Sequence, residues 1–237
     1  SMNTNVPPAS GGTEDFTALF LGAAYRADRW SWTGRVEERW STTEEKFGLF
    51  AGASGEMSSG LALAAGLQTF RTVNVAGPVS FSGDLRLGAA FRPMETRVIF
   101  LDRLDFLQAE QRGVDLPYEN WRVVNNFVLN YKLEGRTQWS FQYGAKFVSE
   151  TIEKNDYRGY TDLTGIEGRY DITTKVDVGM RVSMLRSLGI DQTDYGTQAS
   201  VGLQAGRNLW VSVGYNFAGF MDRDFSRAEF TAEGPFV

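Results

Sequence analysis

The sequence predicts an all-β fold: an antiparallel, up-and-down transmembrane β-barrel of about 12–14 strands. Three observations lead there. Apolar residues alternate with polar or small ones at period two along most of the chain. The connections between alternating runs are short and long by turns. The face opposite the apolar one is built of small residues and of charges of both signs.

Residues 80–92 set the pattern. Phe81, Leu85, Leu87, Ala89 and Phe91 fall on one face, and Ser82, Asp84, Arg86, Gly88 and Ala90 on the other. Residues 138–148 repeat it, with Trp139, Phe141, Tyr143, Ala145 and Phe147 against Gln138, Ser140, Gln142, Gly144 and Lys146. In residues 176–185, Val176, Val178, Met180, Val182 and Met184 oppose Asp177, Gly179, Arg181 and Ser183. By the same rule strands are expected at roughly 16–27, 30–41, 46–56, 60–72, 80–92, 96–109, 121–133, 137–150, 160–171, 175–187, 194–205 and 208–220, with a weaker one at 228–237. Each of the twelve is about ten residues or longer, the length a tilted membrane strand needs. Residues 1–14 lack the alternation and read as a flexible N-terminal segment with a tag remnant, leaving 15–237 as the barrel.

Short connections fall near Ala27–Arg29, Met57–Ser59, Pro93–Glu95, Glu134–Arg136, Thr173–Thr174 and Gly206–Arg207. Longer ones read VNVAGPV, EQRGVDLPYEN, ETIEKNDYRG and LGIDQT. Short turns on one rim and longer polar loops on the other describe an outer-membrane barrel. The near-repeat of LGAAYR (21–26) and LGAAFR (87–92) then marks two strand ends at the short-turn rim. Aromatics near strand ends form the expected interfacial girdle: Tyr25, Trp32, Trp40, Phe91, Tyr131, Trp139, Phe147, Tyr170 and Tyr215.

Alternation alone does not say which face meets lipid, since a soluble sandwich has a greasy interior too. The non-apolar face decides. It carries Gly22, Ala24, Ala62, Ala64, Gly66, Gly88, Ala90, Gly144, Gly179, Gly202 and Gly214, too small for a solvated strand face and suited to a crowded concave lumen. Its mid-strand charges are of both signs. Arg35, Glu37, Arg39, Asp84, Arg86, Arg103, Asp105, Arg122, Lys146, Glu167, Arg169, Asp177 and Arg181 are expected to line the lumen, with Arg35–Glu37, Asp84–Arg86, Arg103–Asp105, Glu167–Arg169 and Asp177–Arg181 paired. Two carboxylates resist the scheme. Glu38 and Asp102 fall in phase with the lipid face; headgroup depth explains Glu38, and a bulge in IFLDRLDF would turn Asp102 inward.

Composition excludes several functions. A net charge of −5 and a pI near 5.0 offer no basic excess for nucleic acid. The chain has no Cys and no His, which removes thiolate sites, disulfides and the commonest general base and metal ligand. No G-x-S-x-G or S-x-x-K constellation replaces them, so neither catalysis nor a cofactor is expected. The oxygen-rich stretches EKNDYRGYTD and DQTD match no EF-type loop and read as solvated surface. No run of about 18 apolar residues supplies a membrane helix.

The tail GYNFAGFMDRDFSRAEFTAEGPFV (214–237) resembles the C-terminal membrane barrels of very large Gram-negative surface proteins that carry repeat regions upstream. The fragments RYDITTKVDVGMRVSML (169–185) and NWRVVNNFVLNYKL (120–133) are similar in the same way, and the likeness runs loosely from about residue 15 to the end. It implies a Gram-negative outer-membrane location and a role as the anchored end of a longer chain. Its partners would be the bilayer with its lipopolysaccharide, the parent's upstream domains and the barrel-assembly machinery. No functional residues carry over. The even strand count of bacterial barrels leads us to expect one more strand upstream of residue 1, or a count that is off by one.

Two functions remain. The first is a membrane anchor of translocator type whose lumen is largely occluded by a charged network. The second is a porin-like channel for small polar solutes with the same charges along its path. On either reading Leu87→Arg or Met180→Arg is expected to block insertion and Gln142→Arg to be tolerated.

Overall fold

A computed structural model describes residues 15–94, 96–133, 135–206, 209–225 and 233–236. The expected flexible segment 1–14 lies outside them, as do Glu95, Glu134 and Arg207 of the expected short turns and residues 228–232 and Val237 of the expected last strand. The strands are β1 (Phe16–Arg26), β2 (Trp30–Ser41), β3 (Glu44–Ser58), β4 (Leu61–Asn74), β5 (Val79–Phe91), β6 (Val98–Arg112), β7 (Tyr118–Lys132), β8 (Thr137–Ile152), β9 (Asn155–Thr173), β10 (Val176–Ser187), β11 (Gln192–Gly206), β12 (Leu209–Ala218) and β13 (Gly234–Phe236). They form one 13-stranded antiparallel sheet in sequence order, the wall of an up-and-down transmembrane β-barrel. Among the described residues β1 pairs only with β2 and β13 only with β12, so the two ends of the sheet are not joined.

The ladders are staggered. Straight across the strands from Leu21 the partners run Val36, Leu49, Thr69, Gly83, Gln108, Trp121, Ser149 and Arg158. That path starts mid-way along β1 and ends near the opposite rim at the start of β9, the accumulated shear that tilts strands in a barrel wall.

Twelve strands stand where the alternation put them, but their ends differ. Strands β3, β6, β7, β8 and β9 run on past the decay of the apolar pattern, because backbone hydrogen bonds and not side-chain contrast carry a ladder. As a result the connections expected to be long are short: Val75–Pro78, Gly113–Pro117, Glu153–Lys154 and Leu188–Asp191. The ETIEKNDYRG stretch is a tight hairpin, with Glu153 in the left-handed region (φ 58°) and its amide donating to the Pro117 carbonyl at 2.9 Å. Gly113, at φ 73°, turns another where an added Cβ would meet the Gly77 carbonyl oxygen at 2.8 Å. Of the expected thirteenth strand, the described residues form Gly234–Phe236.

The faces are inverted relative to a soluble protein. Outward Leu21 is 79% exposed and Met180 63%, whereas inward Gln142 is 6% exposed and Asp177 5%. An apolar surface as continuous as Leu63, Leu87, Val182, Val201, Leu203 and Val213 fits hydrocarbon and not water. Outward aromatics gather near the strand ends. Tyr25 stacks on Trp32 at 6.3 Å and Phe91 on Phe100 at 5.3 Å. The Trp139 ring covers Gly168 on the next strand, and Tyr131 pairs across to Trp139. Toward the other rim Phe147 packs on Trp121 and Tyr215 on Phe217.

Asp102 corrects the expectation of an inward-turning bulge. The β5–β6 and β6–β7 registers run through it without a shift, so it faces outward. It is tolerated there because it lies a turn from the short-turn rim and accepts a hydrogen bond from Asn125 Nδ2 at 2.8 Å. A second outward pair escaped the sequence: Asp162, 4% exposed, receives Arg186 Nη2 at 2.6 Å beside the Tyr143–Tyr160 hydroxyl contact of 3.3 Å.

Leu87→Arg and Met180→Arg are expected to cost about 2–4 kcal/mol each if they sit near mid-bilayer. Refolding into lipid vesicles followed by heat-modifiable gel mobility should show loss of the folded band. Gly66→Ser should retain it, since nothing lies within 4 Å of a Cβ there.

Candidate functional site in the lumen

Along a strand, residues two apart share a face, so a cation and a carboxylate at that spacing can pair without help from the rest of the fold. The lumen uses this repeatedly. Arg35 meets Glu37 at 3.3 Å, Arg103 Nε meets Asp105 at 2.9 Å, and Arg169 Nε meets Glu167 at 3.0 Å. Arg86 grips Asp84 through two nitrogens, Nε at 3.1 Å and Nη2. Arg39 lies over the Phe16 ring at 4.1 Å, and Arg35 over Phe50 at 4.4 Å. The Arg35, Arg86 and Arg103 side chains are about half exposed or more, so each of their pairs is worth about 0–1 kcal/mol.

One expected pair does not form. Asp177 forms an ion pair with Arg169 Nη1 at 3.4 Å instead of with Arg181, and Arg181 Nη2 donates to Gln142 Oε1 at 2.5 Å. The β9–β10 register sets Arg181 opposite Glu167 and Asp177 opposite Asp171, which brings Arg169 within reach of Asp177. Gln142→Arg, expected from the sequence to be tolerated, would therefore place a second guanidinium against Arg181 at a buried position.

Arg122 on β7 and Lys146 on β8 have no acid two residues away, and their partners come from elsewhere. After Ala218 the chain leaves β12 and folds into the lumen as residues 219–225. Lys146 Nζ bonds the Asp222 carboxylate and reaches Asp224 Oδ2 at 3.2 Å; Arg122 Nη1 meets that oxygen at 3.1 Å. Asn126 Nδ2 donates to the Asp224 carbonyl at 3.1 Å. The Asp224 amide in turn donates to Asp222 Oδ1 at 2.9 Å, fixing the two carboxylates on one side of the loop.

Packing seats the same loop. Phe225 is 1% exposed and lies flat over Gly144, where an added Cβ would stand 2.5 Å from its ring. Lys146 Nζ is 5.4 Å from that ring's centroid. Phe220 closes against Gly196, and the two rings join Val124, Leu163, Leu185 and Leu107 in an apolar cluster. These are inward residues, so this part of the lumen is dry. Burying two Phe side chains contributes roughly 1.5–3 kcal/mol each.

Ion pairs alone do not fill the space: a loop and a greasy cluster do. The sequence held a usable signal. The remaining lumen cations have an acid at i±2 or, like Arg181, a register partner, whereas Arg122 and Lys146 have neither, and DRD flanked by Phe220 and Phe225 breaks the alternation of β12.

Gly144→Val is expected to displace Phe225 and free the loop. Limited trypsin digestion of the folded barrel should then cut after Arg223, a bond the native protein keeps protected; equal cutting of both would contradict this seating.

The fold resembles that of the siderophore receptor PirA from Pseudomonas aeruginosa, with a TM-score of 0.61 and 10% sequence identity over 86% of this chain and 39% of that one. The chain therefore spans about two fifths of the length of that receptor. No family model and no curated protein matches the sequence. The likeness is one of fold: an antiparallel barrel wall shared at a sequence identity too low to carry a shared ligand.

Proposed function

We propose that the chain is an outer-membrane β-barrel of a Gram-negative bacterium that anchors a larger surface protein, as a translocator-type C-terminal domain with an occluded lumen. It performs no catalysis. The observation that carries this reading is the loop 219–225, lodged between β7, β8 and the β9–β11 wall with its acids neutralised and its rings buried. Breaking a buried pair such as Lys146–Asp222 by removing one partner costs about 3–5 kcal/mol, which holds the loop in place against solute flow. The partners of an anchor are the bilayer and its lipopolysaccharide around the apolar belt, upstream domains of the parent, and the machinery that assembles barrels.

The porin-like alternative has one observation in its favour. The lumen face of β2–β5 is not filled: a cavity of about 410 Å³ is lined by Gly34, Arg35, Gly52, Gly66, Gln68 and Arg86 among others. On the anchor reading this is a water-filled recess beside the loop and not a through-path.

Single-channel recording of the refolded wild-type chain in planar bilayers separates the two. Silence over many insertions is expected; large, stable conductance steps would overturn the occluded anchor.

A further inference from the structure

Arg122 and Lys146 project from neighbouring strands into the dry side of the lumen, and an unneutralised cation there is costly. We propose that they form a binding site for a small dicarboxylate, and that Asp222 and Asp224 occupy it as a tethered stand-in for that ligand. This rests on the inward orientation used for the anchor reading and goes beyond it by assigning the site a soluble ligand.

Four features point to a ligand site and not to a static brace. Two separate carboxylates converge on one ammonium, and the second is shared with a guanidinium, which is the charge pattern of a dicarboxylate on a Lys–Arg pair. A carboxamide donor, Asn126, completes the set. The loop does not use every donor: Arg122 Nε is buried without a hydrogen-bond partner among the described residues, whereas a free carboxylate could approach the guanidinium side-on through Nε and Nη together. Finally, a cavity of about 720 Å³ lies along the lumen face beside Ala64, Gly88, Ala90 and Arg103, and Asn126, which holds the loop, is part of its wall. That volume is in the range of small-molecule sites, and Asn126 is shared between the cavity wall and the seat of the loop.

A tethered segment competes at an effective concentration on the order of millimolar, so the loop masks the site from dilute ligand. Releasing it exposes the site. The test uses the full refolded chain in detergent, with folding verified by heat-modifiable mobility, and calorimetric titration with succinate, acetate and 1,4-diaminobutane. Asp222→Asn combined with Asp224→Asn should bind succinate about tenfold tighter than wild type, with neither acetate nor the diamine reproducing the signal. Gly144→Val, which displaces the loop but leaves every charge in place, should show the same gain. Adding Lys146→Gln and Arg122→Gln should abolish binding. Folded loop-release variants that take up no succinate, or uptake that survives loss of both cations, would overturn the site. Neither result would touch the anchor reading, which stands or falls on the conductance of the wild type.

Discussion

Hydrocarbon offers no hydrogen bonds, and that single constraint organises the molecule. Every backbone N–H and C=O at membrane depth has to find a partner within the protein, and strands β2 to β12, each paired with a neighbour on both sides, answer that demand. Once the backbone is committed to strands, period two does the rest. Alternate side chains must suit lipid, and those between them must suit whatever the wall encloses. Outward Met180 and inward Asp177, three residues apart on β10, show how sharply the two environments differ.

Charges follow from the same alternation. Most inward cations carry their own acid two residues along, so the strand arrives with its electrostatics already balanced, and these half-exposed pairs add little stability. Arg122 and Lys146 arrive unbalanced. Their neutralisation by Asp222 and Asp224 ties the far C-terminal part of the chain to the β7–β8 hairpin, across some eighty to a hundred residues of sequence. The loop's two rings then convert a polar lumen wall into a local core, with Gly144 shaped to accept Phe225.

Which residues share a face and where twelve strands lie were legible in the sequence because both depend on a local rule, one residue up and the next down. Arg35–Glu37 and Asp84–Arg86 were legible for the same reason. What failed was non-local. Asp177 chose Arg169 because of the β9–β10 register, and register does not follow from composition. Asp102 stayed outward because Asn125, on the next strand, gave it a hydrogen bond and made a bulge unnecessary. The EKNDYRG stretch looked like a loop from its polarity, yet strand pairing continues through it to a tight turn at Glu153. The lumen loop was hidden in a segment that reads as a fading strand.

The account depends on which side of the sheet meets lipid. The chain has no native Cys, so spin labels can be placed singly and without background. Labels at Leu87→Cys and Val201→Cys in reconstituted barrels should be relaxed by oxygen dissolved in the acyl chains, and labels at Ser54→Cys and Gly66→Cys by a water-soluble nickel chelate. The opposite partition, with Leu87 and Val201 shielded from lipid while Ser54 and Gly66 meet it, would contradict the orientation and everything derived from it.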